Sequence, residues 1–212
     1  MNHRIFFDTE FIEDGRTIDL ISIGMVRDDG ATYYAEIAEC DHSKADAWVQ
    51  ANVLPHLRGP MLPREKVAAD IIAFAGDSPQ FWAYYGAYDW VVLCQLFGRM
   101  IDLPKGWPMF CRDVKQLCND LGNPTLPLQM TTKHHALSDA HWTRATCLFL
   151  EQMRGSDESM KIVRDLAGLT IPEDADDRPC DDSFSDATLL WDFIARAQKA
   201  RLAPDPGPGE RP

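Results

Sequence analysis

The sequence predicts an α/β protein: a five-stranded mixed sheet flanked by helices, followed by a C-terminal helical extension. Three observations carry that expectation. Three β-preferring apolar runs follow one another early in the chain, with the strong turn Asp28-Asp29-Gly30 between the second and third. After them the apolar spacing becomes helical, interrupted by two further short strand-like runs. A chain of 212 residues that is 45% apolar also suffices to bury one sizeable core.

The first three strand candidates are residues 4–11, 18–26 and 32–38, whose short links favour an antiparallel meander. The other two are 81–85, after Asp77-Ser78-Pro79, and 107–111. Helical spacing covers 45–57, 64–75, 88–100 and 113–121, the last ended by Gly122. Residues 122–133 contain Pro124, Pro127 and few large apolar side chains, which reads as a loop. Residues 136–154 are expected to form a long helix with Leu137, Ala140, Ala145, Leu148 and Leu150 available for burial. The chain divides accordingly into a core domain (1–154), a helical extension (155–203) and a Pro/Gly-rich tail expected to be disordered (204–212). Within the extension, helices are expected over 156–169 and 183–202.

Acids outnumber bases by 33 to 21, giving a net charge of −12. A protein that coats long nucleic acid by neutralising phosphates is basic. This chain therefore either avoids nucleic acid or holds a few nucleotides at a time, with metal ions neutralising the phosphates. No apolar run is long enough to span a bilayer, and the three apolar residues before Asp8 do not make a signal-peptide core. Cys40, Cys94, Cys111, Cys118, Cys147 and Cys180 form no CxxC pair. They are expected to be reduced, in a cytoplasmic protein.

The chemistry is suggested by acids that interrupt apolar elements. Asp8 and Glu10 follow Ile5-Phe6-Phe7, and residues two apart on a strand share a face. Two carboxylates side by side repel each other and resist desolvation, and a divalent cation removes that penalty. A strand end running into solvent is the simpler reading. Asp89 lies where a strand passes through Gly86 into a helix, and a helix cap would explain it equally well. Asp139 begins an apolar helix five residues after His134. At about 100° per residue the two would not share a helix face, so His134 is more useful in the preceding loop. His135 and His141 read as structural or merely exposed. Together, Asp8, Glu10, Asp89, Asp139 and His134 are what a two-metal hydrolase requires: hard oxygen ligands for two Mg²⁺ or Mn²⁺ ions, and an imidazole to take a proton from water. No P-loop, nucleophile elbow or dinucleotide fingerprint competes.

Phe7-Asp8-Thr9-Glu10-Phe11, Tyr88-Asp89 and His134-x-Ala136-x-x-Asp139 resemble the three motifs of the DEDDh 3′→5′ exonucleases. Residues 7–15, 18–24 and 82–97, including Gly86-Ala87-Tyr88-Asp89 and Leu93-Cys94-Gln95-Leu96, are similar to the RNase AS family of that superfamily. The resemblance covers about residues 4–154, which makes 1–154 the exonuclease domain. Tyr85 stands where most relatives carry asparagine, so proofreading-type contacts are not carried over.

The resemblance implies a ribonuclease H-like fold, a homodimer, and hydrolysis of RNA from its 3′ end to 5′-mononucleotides with a liking for adenylate. It implies Asp8, Glu10, Asp89 and Asp139 as metal ligands and His134 as general base. Phe11 is the best-placed candidate to stack the terminal base; Trp82 and Tyr85 are weaker ones, and Lys133 is a candidate phosphate contact. The same chemistry on DNA ends, and a non-catalytic interaction module on the same fold, are the alternatives. The part played by 155–212 stays open between a dimer arm, a partner-binding element and a cap on the core.

Overall fold

The computed structural model describes residues 3–166. Residues 1–163 make one compact unit and 164–212 a second, almost all of which lies outside the described residues. The helix expected over 183–202, most of the extension and the tail therefore lie outside the described residues.

Strand β1 (Arg4–Glu13) is the centre of the sheet, because Ile5-Phe6-Phe7 are apolar on both faces and are fully buried. It pairs antiparallel with β2 (Ile18–Arg27), which pairs antiparallel with β3 (Thr32–Ile37), giving the expected meander. On its other side β1 runs parallel to β5 (Gln80–Ala83). The full order is β4-β3-β2-β1-β5-β6, with β4 (Met61–Leu62) beside β3 and β6 (Arg112–Asp113) beside β5, both parallel. The mixed sheet thus has six strands where the sequence suggested five. The extra strand is two residues long between Pro60 and Pro63, too short to show a period.

The last strand also falls later than expected. Residues 107–111 include Pro108, which cannot donate to a ladder, and pairing begins at Arg112. Trp107 is buried instead as a plug against Phe81 and Phe97, its indole N–H donating to the Gly76 carbonyl at 2.8 Å.

Alternation along β1 splits the core. Ile5 and Phe7 enter one apolar cluster with Val67 and Ile71 of α2 (Arg64–Ala75) and Leu93 of α3 (Ala87–Gln95). Phe6 enters the other, with Val114 and Cys118 of α4 (Val114–Asp120) and Cys147 and Leu150 of α5 (Ala136–Leu166). Each such buried side chain contributes about 1.5–3 kcal/mol. Helix α1 (Ala47–Asn52) is shorter than the expected 45–57, and α3 stops before Gly98, whose φ of 109° no helix accepts. Residues 122–133 form no helix or strand, as expected.

α5 passes residue 154 without a break and continues to Leu166. A single glycine, Gly155, lowers helix stability by about 1 kcal/mol relative to alanine, too little to end a helix this long. Two contacts seat α5 against β1 and β2. At one end Arg4 donates to both Glu151 oxygens, at 2.9 and 2.8 Å. At the other, Gly24 on β2 lets the helix start approach the sheet: a Cβ there would lie 2.2 Å from the Leu137 nitrogen. Gly24 is the cross-strand partner of Asp8. Cys40, Cys94, Cys111, Cys118 and Cys147 are free thiols, and Cys180 lies outside the described residues. Among the described residues no helix is long and apolar enough to cross a membrane.

Candidate active site

On β1 the even-numbered residues follow Phe6 toward α5, so Asp8 and Glu10 point to the face on which α5 lies. Glu10 is buried, and Asp8 keeps partial exposure. Thr9, between them, faces the other way. Its backbone N–H and its hydroxyl both donate to one oxygen of Asp89, at 2.8 and 2.6 Å. That pair of bonds fixes the buried carboxylate of Asp89, which enters from the first turn of α3. The first turn of α5 brings Asp139. One of its oxygens accepts the backbone N–H of His134 at 2.9 Å, and the other accepts the Gln129 side-chain amide from the preceding loop.

His134 has φ of 58°, a left-handed turn rare for a residue with a side chain. The turn keeps His134 off the helix, as its spacing from Asp139 required. Its ring meets Trp48 of α1 edge-on, with centroids 4.8 Å apart. Glu10, His134 and Asp139 each offer a ligand atom, all within 4.8 Å of one another.

These groups line a cleft of ≈ 460 Å³. Asp8, Glu10, Glu13, Asp46, Asp89 and Asp139 all face it, and no lysine or arginine does so among the described residues. The electrostatic result is strong. Burial, then the charges of Asp89, Glu10 and Asp139, holds the Asp8 carboxyl well above the usual carboxylate range. Burial, then Asp139 and Asp89, pushes Glu10 up to about 8. Burial pushes Asp89 up to about 6 even though the Thr9 bonds oppose it. The site crowds carboxyl oxygens together, and each raises the cost of ionising the next. The donor set fits divalent cations, because oxygen ligands plus one imidazole suit Mg²⁺ or Mn²⁺.

The five residues singled out as catalytic therefore sit together. Of the substrate candidates, Phe11 lines the cleft and meets Tyr88 edge-on at 5.8 Å. Tyr85 lines it too, with 65% of its surface exposed. Lys133 lines an adjoining cavity of ≈ 400 Å³ that shares Asp8, His134 and Asp139. Trp82 lines neither cavity. It pairs in register with Phe6, a rung below Asp8, and packs on Phe6 beneath the Arg112 guanidinium.

Three contributors escaped the sequence reading. Trp48 is half exposed in the cleft, but a tryptophan in a short helix carries no local mark of function. Gln129 reaches Asp139 from a loop whose path the sequence does not encode. Gly24 acts through what it lacks, and only the packing of α5 reveals it.

Comparison with known proteins places the chain in a family. A family model described as the 3'-5' exoribonuclease Rv2179c-like domain matches residues 3–150. Two proteins of Mycobacterium tuberculosis, 3'-5' exoribonuclease Rv2179c and 3'-5' exoribonuclease MT2234.1, are each 46% identical over 145 residues, 65% of this chain and 86% of theirs. Among solved structures, E. coli exonuclease I in complex with a dT13 oligonucleotide is similar with a TM-score of 0.52 at 14% identity, over 74% of this chain and 43% of that one. An exonuclease I from Methylocaldum szegediense has a TM-score of 0.50 at 14% identity, over 73% of this chain and 41% of that one. The chain spans less than half of those two structures, and likeness at that identity concerns the fold alone. The match over residues 3–150 and the 46% identity settle the family: this chain belongs to the Rv2179c-like 3'-5' exoribonuclease domain family.

Proposed function

We propose that this chain is a metal-dependent 3′→5′ exoribonuclease that releases 5′-mononucleotides from RNA. The observation that carries the reading is the meeting of Asp8, Glu10, Asp89 and Asp139 beside His134 in an acidic cleft that no lysine or arginine lines among the described residues. The family and the names of the Mycobacterium tuberculosis relatives support RNA as the substrate.

Asp8, Glu10, Asp89 and Asp139 would hold two divalent ions, Mg²⁺ or Mn²⁺. Bound there, the ions would neutralise the terminal phosphodiester and polarise the attacking and leaving oxygens of an in-line displacement. The rest falls to the chain. Thr9 and Gln129 keep two of the carboxylates oriented. His134, steadied against Trp48, accepts the proton of the attacking water as general base. Phe11 and Tyr85 offer ring faces to the terminal base, worth about 1–3 kcal/mol per stacked base. Stacking favours purines, which accords with a preference for adenylate. Lys133 contacts a phosphate from the adjoining cavity. The protein acts as a homodimer in the cytoplasm, and light scattering tests the first part of that statement.

One assay tests the core. An oligoribonucleotide labelled at its 5′ end and incubated with Mn²⁺ should give a ladder shortening one nucleotide at a time, and the DNA oligomer of the same sequence should be cut far more slowly. His134→Ala should keep its fold and its Mn²⁺ affinity while turnover falls about 10²–10⁴-fold. Near-normal turnover in that variant would remove the general-base role. Equal cutting of DNA and RNA would remove the substrate assignment.

A further inference from the structure

The turn that carries His134 has a second side. Lys133, His134 and Asp139 face the cavities beside Asp8. Thr132, His135 and Ser138, their immediate neighbours in sequence, face a separate open cavity of ≈ 350 Å³ completed by Pro55, His56 and Arg58. In a chain of net charge −12, no carboxylate lines this cavity among the described residues.

Apart from Pro55, every side chain that lines it is a donor or can be. Arg58 is exposed and gives one guanidinium N–H to the Leu57 carbonyl. It forms no ion pair among the described residues, so most of its five donors are available. His135 lies flat on Tyr34, with centroids 4.6 Å apart and planes at 16°. Its Nδ1 accepts the Ser138 N–H at 3.4 Å, which leaves the proton of a neutral ring on Nε2, free to donate. Thr132 and Ser138 add hydroxyls, and the start of the 31-residue helix α5 adds a positive dipole end. The neighbouring carboxylate, Glu36, is buried and turned inward: it accepts the Tyr34 hydroxyl at 3.0 Å and the Gly59 N–H at 2.6 Å.

We infer that this cavity binds an internal phosphate of the RNA chain whose 3′ end lies in the acidic cleft. The inference rests on the exoribonuclease reading and deepens it. A cleft crowded with carboxylates repels a polyanion wherever bound ions do not shield it. A donor cluster on the next residues of the same turn supplies the missing attraction to the chain upstream. The preferred substrate is then an oligomer long enough to reach both places.

The test reads binding with the divalent ions chelated, so it does not depend on activity. A fluorescein-labelled oligoribonucleotide should bind Arg58→Ala about tenfold more weakly than wild type. The slope of log affinity against log salt should flatten by about 0.7, as expected for one lost phosphate contact to a single strand. Arg58 is exposed, so the variant should fold. In the presence of Mn²⁺, KM for a long oligomer should rise in Arg58→Ala while turnover of a dinucleotide stays unchanged. The ring resonances of His56 and His135 should shift on adding the oligomer to wild type. Shifts with inorganic phosphate or adenosine 5′-monophosphate but not with the oligomer would make this a site for free phosphate and overturn the assignment to the chain. Unchanged affinity and unshifted rings would overturn the site altogether. Failure of the nuclease reading would show separately, as the absence of a product ladder.

Discussion

The two halves of the candidate active site are held by different means. Asp8 and Glu10 belong to the central strand of a six-stranded sheet, paired with β2 at both positions and just beyond the segment Arg4–Phe6 that β5 also pairs. Asp89 is bound to the same strand through Thr9. His134 and Asp139 have no ladder. They depend on a left-handed turn, on bonds from Gln129 and the His134 backbone, and on how closely α5 approaches β2 at Gly24. The contrast follows from electrostatics. Carboxylates that repel one another stay together only where the backbone gives them no way to separate, so the most crowded ones sit on the stiffest element.

The largest effect should come from relieving that repulsion. Asp8→Asn removes the charge that Asp89, Glu10 and Asp139 oppose. Turnover should fall about 10³-fold or more. The metal-free protein should nevertheless melt higher, because asparagine is spared the cost of taking up a proton that burial and its neighbours impose on Asp8. A lower melting temperature would mean that the sheet half is not strained and would undo the contrast.

Next comes the junction between the halves. Gly24→Ala puts a methyl group 2.2 Å from the Leu137 nitrogen and 2.3 Å from the Ala136 carbonyl carbon, backbone atoms that cannot swing aside. The start of α5 must lift from β2, carrying Asp139 and His134 away from Asp8. A misplacement of about 1 Å costs about 100-fold in turnover, and overpacking costs about 1–3 kcal/mol in stability. Steady-state kinetics and thermal melts of the variant measure both. Full activity would show that the loop half places itself without this contact.

How much of this was legible in the sequence follows the same division. The sheet half was readable because an acid inside a β-preferring apolar run is locally conspicuous, and alternation puts Asp8 and Glu10 on one face without any tertiary knowledge. The meander was readable for the same reason. The loop half was readable only as residue identities: His134 and Asp139 were marked, but Gln129 and Gly24 act across distances that periodicity does not report. The misplaced last strand and the missed β4 share one cause. Short pairings beside Pro60, Pro63 and Pro108 are set by their neighbours in the sheet and not by their own pattern. Trp82 pairs with Phe6, a rung below Asp8, a height that the sequence pattern does not report.

A smaller effect is expected at Thr9. Thr9→Val keeps the shape and the backbone N–H but removes the 2.6 Å hydroxyl bond to Asp89. The Asp89 carboxyl should then rise above about 6, since its strongest opposing influence is gone. Mn²⁺ affinity should drop about 10–100-fold, as when an orienting partner of a ligand is lost. Calorimetry with Mn²⁺ checks this, and unchanged affinity would mean that Asp89 is positioned by α3 alone.

The smallest effect is a pH dependence that separates the halves without mutation. Glu10 ionises at about 8 in the folded chain against an ordinary 4.5, and Asp89 at about 6 against 3.8. The folded state therefore binds more protons than the unfolded one between those limits. Stability from these groups is full below the ordinary values and is lost as pH rises through the folded ones. The metal-free protein should melt several degrees lower at pH 8 than at pH 5. Divalent ions compete with those same protons, so the rise in melting temperature on adding Mn²⁺ should grow across this window. The double substitution Glu10→Gln with Asp8→Asn should flatten most of the metal-free slope, because both carboxyls are held far above their ordinary values. If the slope survived that substitution, the titrating charge would lie outside the sheet half, and the crowding at β1 would not be what the bound ions relieve.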